Sequence, residues 1–162
     1  MTQPPTISIV RTPAELEAVI TLFRAYADSL DVDLSYQNFA QELAEMPGEY
    51  APPTGELWLA RNAEAQPSGC VALRAMDEPG CCEMKRLYVP PAGRGLGVGK
   101  ALVEVVVQEA ARIGYREIRL DTLPSMHAAI ALYRRCGFAT IPAYYDTPIA
   151  GTVFMRRELP AI

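Results

Sequence analysis

The sequence predicts an α/β fold, a mixed central sheet with antiparallel early strands and a parallel central pair, flanked by helices. Three observations predict it. Residues 56–62 and 69–76 are short runs of strand character joined by a polar turn, which makes a hairpin. Residues 81–89 (CCEMKRLYV) form a third run, followed by a glycine-rich turn, a long amphipathic pattern and a fourth run at 116–120. A strand–helix–strand order of this kind closes as a right-handed crossover, so the strands at 81–89 and 116–120 lie parallel.

The elements follow in order. Residues 6–11 (TISIVR) alternate as a first strand. Thr12, Pro13 and Glu15 form a capping-box start for a helix reaching about Leu30, with Leu16, Val19, Ile20, Phe23 and Ala27 on its apolar face. A second helix is expected from about Ser35 to Met46, with Phe39, Leu43 and Met46 on one side, before Pro47–Gly48 end it. After the hairpin and the turn 77–80, the strand 81–89 runs into Pro90 and Pro91, which cannot donate ladder hydrogen bonds. The helix that follows has Val98, Leu102, Val105, Val106 and Ile113 on one face and closes at Gly114. A helix at 126–136 ends at Gly137, and residues 138–141 and 152–157 are the final strands, joined by PAYYDTPIAG. No repeat, linker or low-complexity segment interrupts the chain, so residues 1–162 read as one domain.

Composition excludes several functions. Half of the residues are hydrophobic and the net charge is -4, which argues against a nucleic-acid-binding surface. Four cysteines without C-x-x-C spacing and a single histidine argue against a metal site and for reduced thiols in the cytoplasm. The N-terminal stretch has no basic and no apolar region of the kind that directs secretion, and no apolar run is long enough to span a membrane.

The chemistry concentrates between Leu87 and Lys100, LYVPPAGRGLGVGK. Gly93, Gly95, Gly97 and Gly99 alternate between a strand end and a helix start. Such a turn leaves backbone N–H groups free where the helix dipole favours an anion. Arg94 and Lys100 add positive charge at either side. The spacing separates this turn from other phosphate loops. A P-loop requires a glycine where Arg94 stands and a hydroxyl residue where Ala101 stands; the dinucleotide fingerprint fails in every register. What fits is R-x-x-G-x-G, with Arg94, Gly97 and Gly99. That pattern after an L-Y-V strand resembles the acetyl-CoA loop of the GNAT N-acetyltransferase superfamily. The stretch 81–138, with K-R-L-Y-V, L-D-T and A-L-Y-R-R-C-G-F, is similar to that of small bacterial single-domain members.

The resemblance implies acetyl transfer from acetyl-CoA to a primary amine of a small molecule, by direct attack in a ternary complex. It implies a cofactor site made by Leu87, Tyr88, Val89, Arg94, Gly95, Leu96, Gly97, Val98, Gly99 and Lys100. A backbone N–H around Leu87–Val89 would serve the developing oxyanion. Tyr133 stands where the family carries the tyrosine next to the CoA sulfur and would protonate the leaving thiolate. Two carboxylates compete as general base. Glu83 lies on the strand beside the cofactor channel, with strand alternation putting it on one face with Lys85, Leu87 and Val89. Asp121, at the end of the next strand, is its rival. Met126 stands where many relatives carry a pantetheine-binding asparagine, so that contact falls to backbone or to Ser125. The acceptor would enter between the first helices and the last hairpin, where Tyr36, Asn38, Tyr144 and Tyr145 would line its pocket. A protein lysine or N-terminal acetyltransferase and a non-catalytic CoA-binding sensor are the alternatives. A homodimer is left open, and neither nucleic acid nor membrane is expected as a partner.

Overall fold

Residues 4–160 are described by the computed structural model, so the first three residues of the N-terminal stretch lie outside it. The strands are β1 (Thr6–Ile9), β2 (Glu56–Arg61), β3 (Pro67–Ala75), β4 (Cys81–Tyr88), β5 (Glu117–Thr122), β6 (Ala139–Ile141) and β7 (Val153–Glu158). The helices are α1 (Pro13–Ser29), α2 (Phe39–Ala44), α3 (Val98–Ile113) and α4 (His127–Arg135). All seven strands join one sheet in the order β1-β2-β3-β4-β5-β7-β6. Only β4 and β5 run parallel, as the crossover through α3 requires.

Two apolar layers hold the sheet. On one face α1 buries Val19, Leu22 and Phe23 against Leu57, Leu59, Cys70 and Ala72. On the other, α3 buries Leu102, Val103, Val106 and Ala110 against Trp58, Val71, Leu73, Cys82 and Met84. The capping box of α1 is complete: the Glu15 N–H donates to Thr12 Oγ1 at 3.2 Å, and the Thr12 N–H donates to Glu15 Oε1 at 2.9 Å. At the far end of α3, Gly114 takes the left-handed conformation that closes the helix.

Three expectations need correction. The helix expected over 35–46 is two pieces, a 3-10 turn at Leu34–Gln37 and α2, because Asn38 adopts a left-handed conformation between them (φ 56°, ψ 40°). Asparagine tolerates that region better than most residues. Asp121 lies inside β5, paired with Phe154, and does not terminate the strand.

The third correction matters most for the site. β4 does not alternate regularly. Arg86 has φ 60°, and the register with β3 passes from Ala72 opposite Lys85 to Cys70 opposite Tyr88. This bulge inserts one residue and reverses the faces beyond it. Glu83 and Lys85 therefore share the α1 face, whereas Leu87 and Val89 pack on the α3 side. Tyr88 turns into the α1-side core, edge-on to Tyr26 with ring centroids 5.8 Å apart.

Candidate active site

β4 and β5 pair only from Cys81–Glu83 against Glu117–Arg119. Past that point the strands part. A cavity occupies the gap, walled by Met84, Lys85, Arg86 and Leu87 on one side and Leu120 to Leu123 on the other, with Tyr133 from α4. Backbone groups of β4 beyond Glu83 have no strand partner on the β5 side, which leaves main-chain donors facing the gap. A second, more open cavity adjoins it, lined by Arg74, Glu83, Tyr144 and Tyr145. Tyr36, Gln37, Lys85 and Arg86 line both.

Ion pairs and phenols order the wall between the cavities. Glu83 is 2% exposed. Arg74 donates to its Oε1 from Nε at 2.9 Å, and Tyr144 donates to its Oε2 at 2.5 Å. Burial pushes the Glu83 carboxyl up, but Lys85, Arg74 and the Tyr144 hydrogen bond outweigh it and hold the group below the usual carboxylate range. Asp121 accepts a short hydrogen bond from the Tyr145 hydroxyl, and its Oδ1 lies 3.8 Å from Lys85 Nζ. Phe154, opposite Asp121 in the sheet, fixes both tyrosines edge-on at 4.9 and 5.2 Å between centroids. Arg86 forks onto Glu42 of α2 with bonds of 3.0 and 3.1 Å, and donates to Gln37 Oε1 at 2.7 Å. The bulged strand thus ties down the segment that roofs the cavities.

Tyr133 is buried on α4, 6.0 Å from the Phe138 ring, and burial raises its hydroxyl well above the ordinary phenol value. It shares the gap cavity with Asp121 and Met126.

The glycine turn sits at the N-terminus of α3. Gly95 (φ 82°) and Gly97 (φ 78°) are left-handed, and a Cβ on either would meet open space. Gly97 caps the helix, and its carbonyl accepts the Ala101 N–H at 3.1 Å. The N–H groups of Val98, Gly99 and Lys100 precede the first helical bond, so they are free for a ligand. Gly99 lets α4 come close: a Cβ there would lie 3.2 Å from Leu132 Cδ2. Arg94 Nε donates to the Val89 carbonyl at 3.1 Å, which braces the turn against the strand end. The open space and the free amides fit a diphosphate, and the unpaired edge of β4 beyond Glu83 offers main-chain groups to an extended chain. Leu96 is 49% exposed and free to cover such a chain, whereas Val98 and Tyr88 are buried and offer only backbone. Lys100 leans toward Glu104 of its own helix at 3.9 Å.

Of the residues expected at the site, Glu83, Asp121, Tyr133, Tyr36, Tyr144 and Tyr145 all come together around the two cavities. Asn38 does not line them; it caps the 3-10 turn and lines, with Gln41 and Glu45, a groove that adjoins the second cavity at Gln37, Glu42, Glu49 and Arg74. Gln37, next to Tyr36 in the expected acceptor stretch, lines both cavities, and three further residues were not anticipated there: Arg74, Lys85 and Arg86. The signal was present in the sequence. Three charges in E-M-K-R sit inside a central strand covered on both faces, where unpaired charge is expensive and a partner or a function is required.

Comparison with known proteins gives a consistent picture. Residues 16–138 match the family model described as Acetyltransferase (GNAT) family. An uncharacterized N-acetyltransferase of Schizosaccharomyces pombe is 41% identical over 153 residues, covering 94% of both chains. Among solved structures, a GNAT-family acetyltransferase from Staphylococcus aureus superposes with a TM-score of 0.78 at 21% identity, covering 96% of this chain and all of the other. A GNAT superfamily phosphinothricin acetyltransferase from Sinorhizobium meliloti, solved in complex with AcCoA, gives 0.73 at 20% identity over 97% of this chain and 89% of its own. At that identity the two structures speak for the fold alone.

Proposed function

Because this chain belongs to the Acetyltransferase (GNAT) family, we propose that it transfers an acetyl group from acetyl-CoA to a primary amine of a small molecule, by direct attack. The observation that carries this reading is the gap between β4 and β5. It opens between Met84–Leu87 and Leu120–Leu123 into a cavity that holds Tyr133 and Asp121 together.

Acetyl-CoA supplies an activated acetyl thioester when bound. The amides of Val98, Gly99 and Lys100 would hold its diphosphate, with Gly95 and Gly97 giving the backbone its approach. Free β4 N–H groups at Leu87–Val89 would receive the oxyanion as it develops. Asp121, with Tyr145 on its other oxygen, would take the proton from the acceptor ammonium, directly or through one water. Its rival Glu83 is already committed to Arg74 and Tyr144, which lowers its basicity. Tyr133, whose buried phenol keeps its proton, would pass it to the departing thiolate and regain one from the acceptor nitrogen, which sheds its second proton as the tetrahedral adduct collapses to the amide. The roof segment around Tyr36 and Gln37 would keep water out while both substrates are bound. This reading sets the reaction in the cytoplasm, where the four free cysteines stay reduced. No helix among the described residues is long and apolar enough to cross a membrane.

The test is thiol release from acetyl-CoA against a panel of small amines, amino acids and peptides. Amine-dependent release with intersecting double-reciprocal lines is expected. Release that no amine accelerates would instead favour a CoA-binding sensor, and parallel lines would point to an acyl-enzyme route.

A further inference from the structure

The wall shared by the two cavities contains a cation without a close partner. Lys85 is 7% exposed, and its ammonium has three donors to place. Its contacts are long ones: Gln37 Oε1 at 3.4 Å and Asp121 Oδ1 at 3.8 Å. Neither reaches the 2.7–2.9 Å of a tight charge-assisted bond. Glu83, on the same face, does not close on it, because Arg74 and Tyr144 hold both of its oxygens. Burial pulls the Lys85 ammonium below its ordinary value, against Glu83 and Asp121. The other two cations of the wall are satisfied, Arg74 on Glu83 and Glu49, Arg86 on Glu42.

A loose buried ion pair is the kind of gap that a zwitterion closes. A ligand lying alongside, its carboxylate on the Lys85 ammonium and its own ammonium on the Asp121 carboxylate, would add two good contacts to a single poor one. A polyamine has nothing to offer Lys85 and adds a like charge beside it. We propose that Lys85 selects the acceptor by binding its carboxylate, so that the substrate is an amino carboxylic acid whose amine lies toward Asp121. This rests on the acetyl-transfer reading above and narrows its acceptor class.

The experiment uses matched pairs: amino acids, the same compounds as carboxamides, and their decarboxylated amines, each assayed for thiol release with the full-length protein. The free acid of a preferred pair should exceed its decarboxylated amine by at least about tenfold in kcat/KM, the scale of one buried charge-assisted contact. In Lys85→Met the ratio should collapse toward one, through KM for the acid, with calorimetric affinity for acetyl-CoA unchanged. Calorimetric titration of the acids into the wild type should give heats that the carboxamides do not. Lys85→Arg keeps a cation and should retain part of the preference, which serves if the methionine variant does not fold. Decarboxylated amines that match or exceed their acids in the wild type would overturn the proposal and leave acetyl transfer standing. So would an acid preference that survives in a folded Lys85→Met. No thiol release with any acid or amine would overturn the acetyl-transfer reading, and this one with it.

Discussion

At the scale of single residues the sharpest question is which carboxylate takes the proton. Glu83 and Asp121 lie on the same face of neighbouring strands, yet their surroundings differ. Glu83 is clamped by a guanidinium and a phenol, and its carboxyl is held low. A group held low is a poor acceptor for an ammonium proton, so its charge serves to fix Arg74 and Tyr144. Asp121 faces the gap cavity beside Tyr133. In a pH–rate profile, Asp121→Asn should lower kcat/KM by about 10²–10⁴ and lose the fall at acid pH. Glu83→Gln should keep that acid limb, with a reduced plateau from misplaced tyrosines. An intact limb in Asp121→Asn and its loss in Glu83→Gln would exchange the two roles. The sequence put both residues near the site but could not rank them. The ranking depends on Arg74, nine residues from Glu83 in the chain, and on Tyr144, sixty-one residues away, meeting at one carboxylate.

Among the elements, what was legible followed local rules and what was not followed pairing. The capping box of α1, the Gly114 stop of α3 and the parallel β4–β5 pair were all legible, since each depends on a short pattern or a chain-handedness rule. The bulge at Arg86 was not, because a bulge is set by the register of the partner strand, and nothing in K-R-L-Y-V marks which residue is extra. The same holds for β7 sitting between β5 and β6, which no local pattern dictates. The glycine turn was readable as an anion site, although which glycines are essential only emerges from dihedral angles. Gly97 is left-handed with open space around its missing Cβ, so Gly97→Ala meets no clash and is penalised through φ alone. A non-glycine residue there costs about 1–2 kcal/mol. A melting temperature a few degrees lower is expected, together with weaker acetyl-CoA binding by calorimetry as the amides of the first turn lose their aim. Unchanged binding in a destabilised Gly97→Ala would mean that the turn is structural only. Gly97→Asn, which tolerates the left-handed region, should recover most of both losses.

Across the whole molecule, the crowding of phenols around the site shapes stability at high pH. Burial lifts the hydroxyl of Tyr26 to about 12, and lifts those of Tyr50, Tyr133, Tyr144 and Tyr145 further. In the unfolded chain each returns to about 10. A group whose folded value is raised contributes stability that is complete below its unfolded value and is lost as pH rises toward the folded one. Five such groups therefore draw the equilibrium toward the unfolded chain from about pH 10 upward. Lys85 acts in the opposite sense. Its folded value is lowered by burial, so raising the pH through that window relieves the penalty of a buried charge. One lysine set against five phenols and the thiols of Cys70, Cys81 and Cys82, which burial also raises, leaves the net slope downward. The phenolate absorbance of these five, of eight tyrosines in the chain, should thus rise together with the loss of far-ultraviolet ellipticity, in one cooperative step above about pH 10, and not as a gradual titration of a folded protein. Tyr144→Phe and Tyr145→Phe should each move that step to higher pH, because each removes one ionisation that only the unfolded chain can make freely. A smooth phenolate titration with ellipticity intact would mean that these hydroxyls reach solvent, and that the wall around Lys85 is open where the structure closes it.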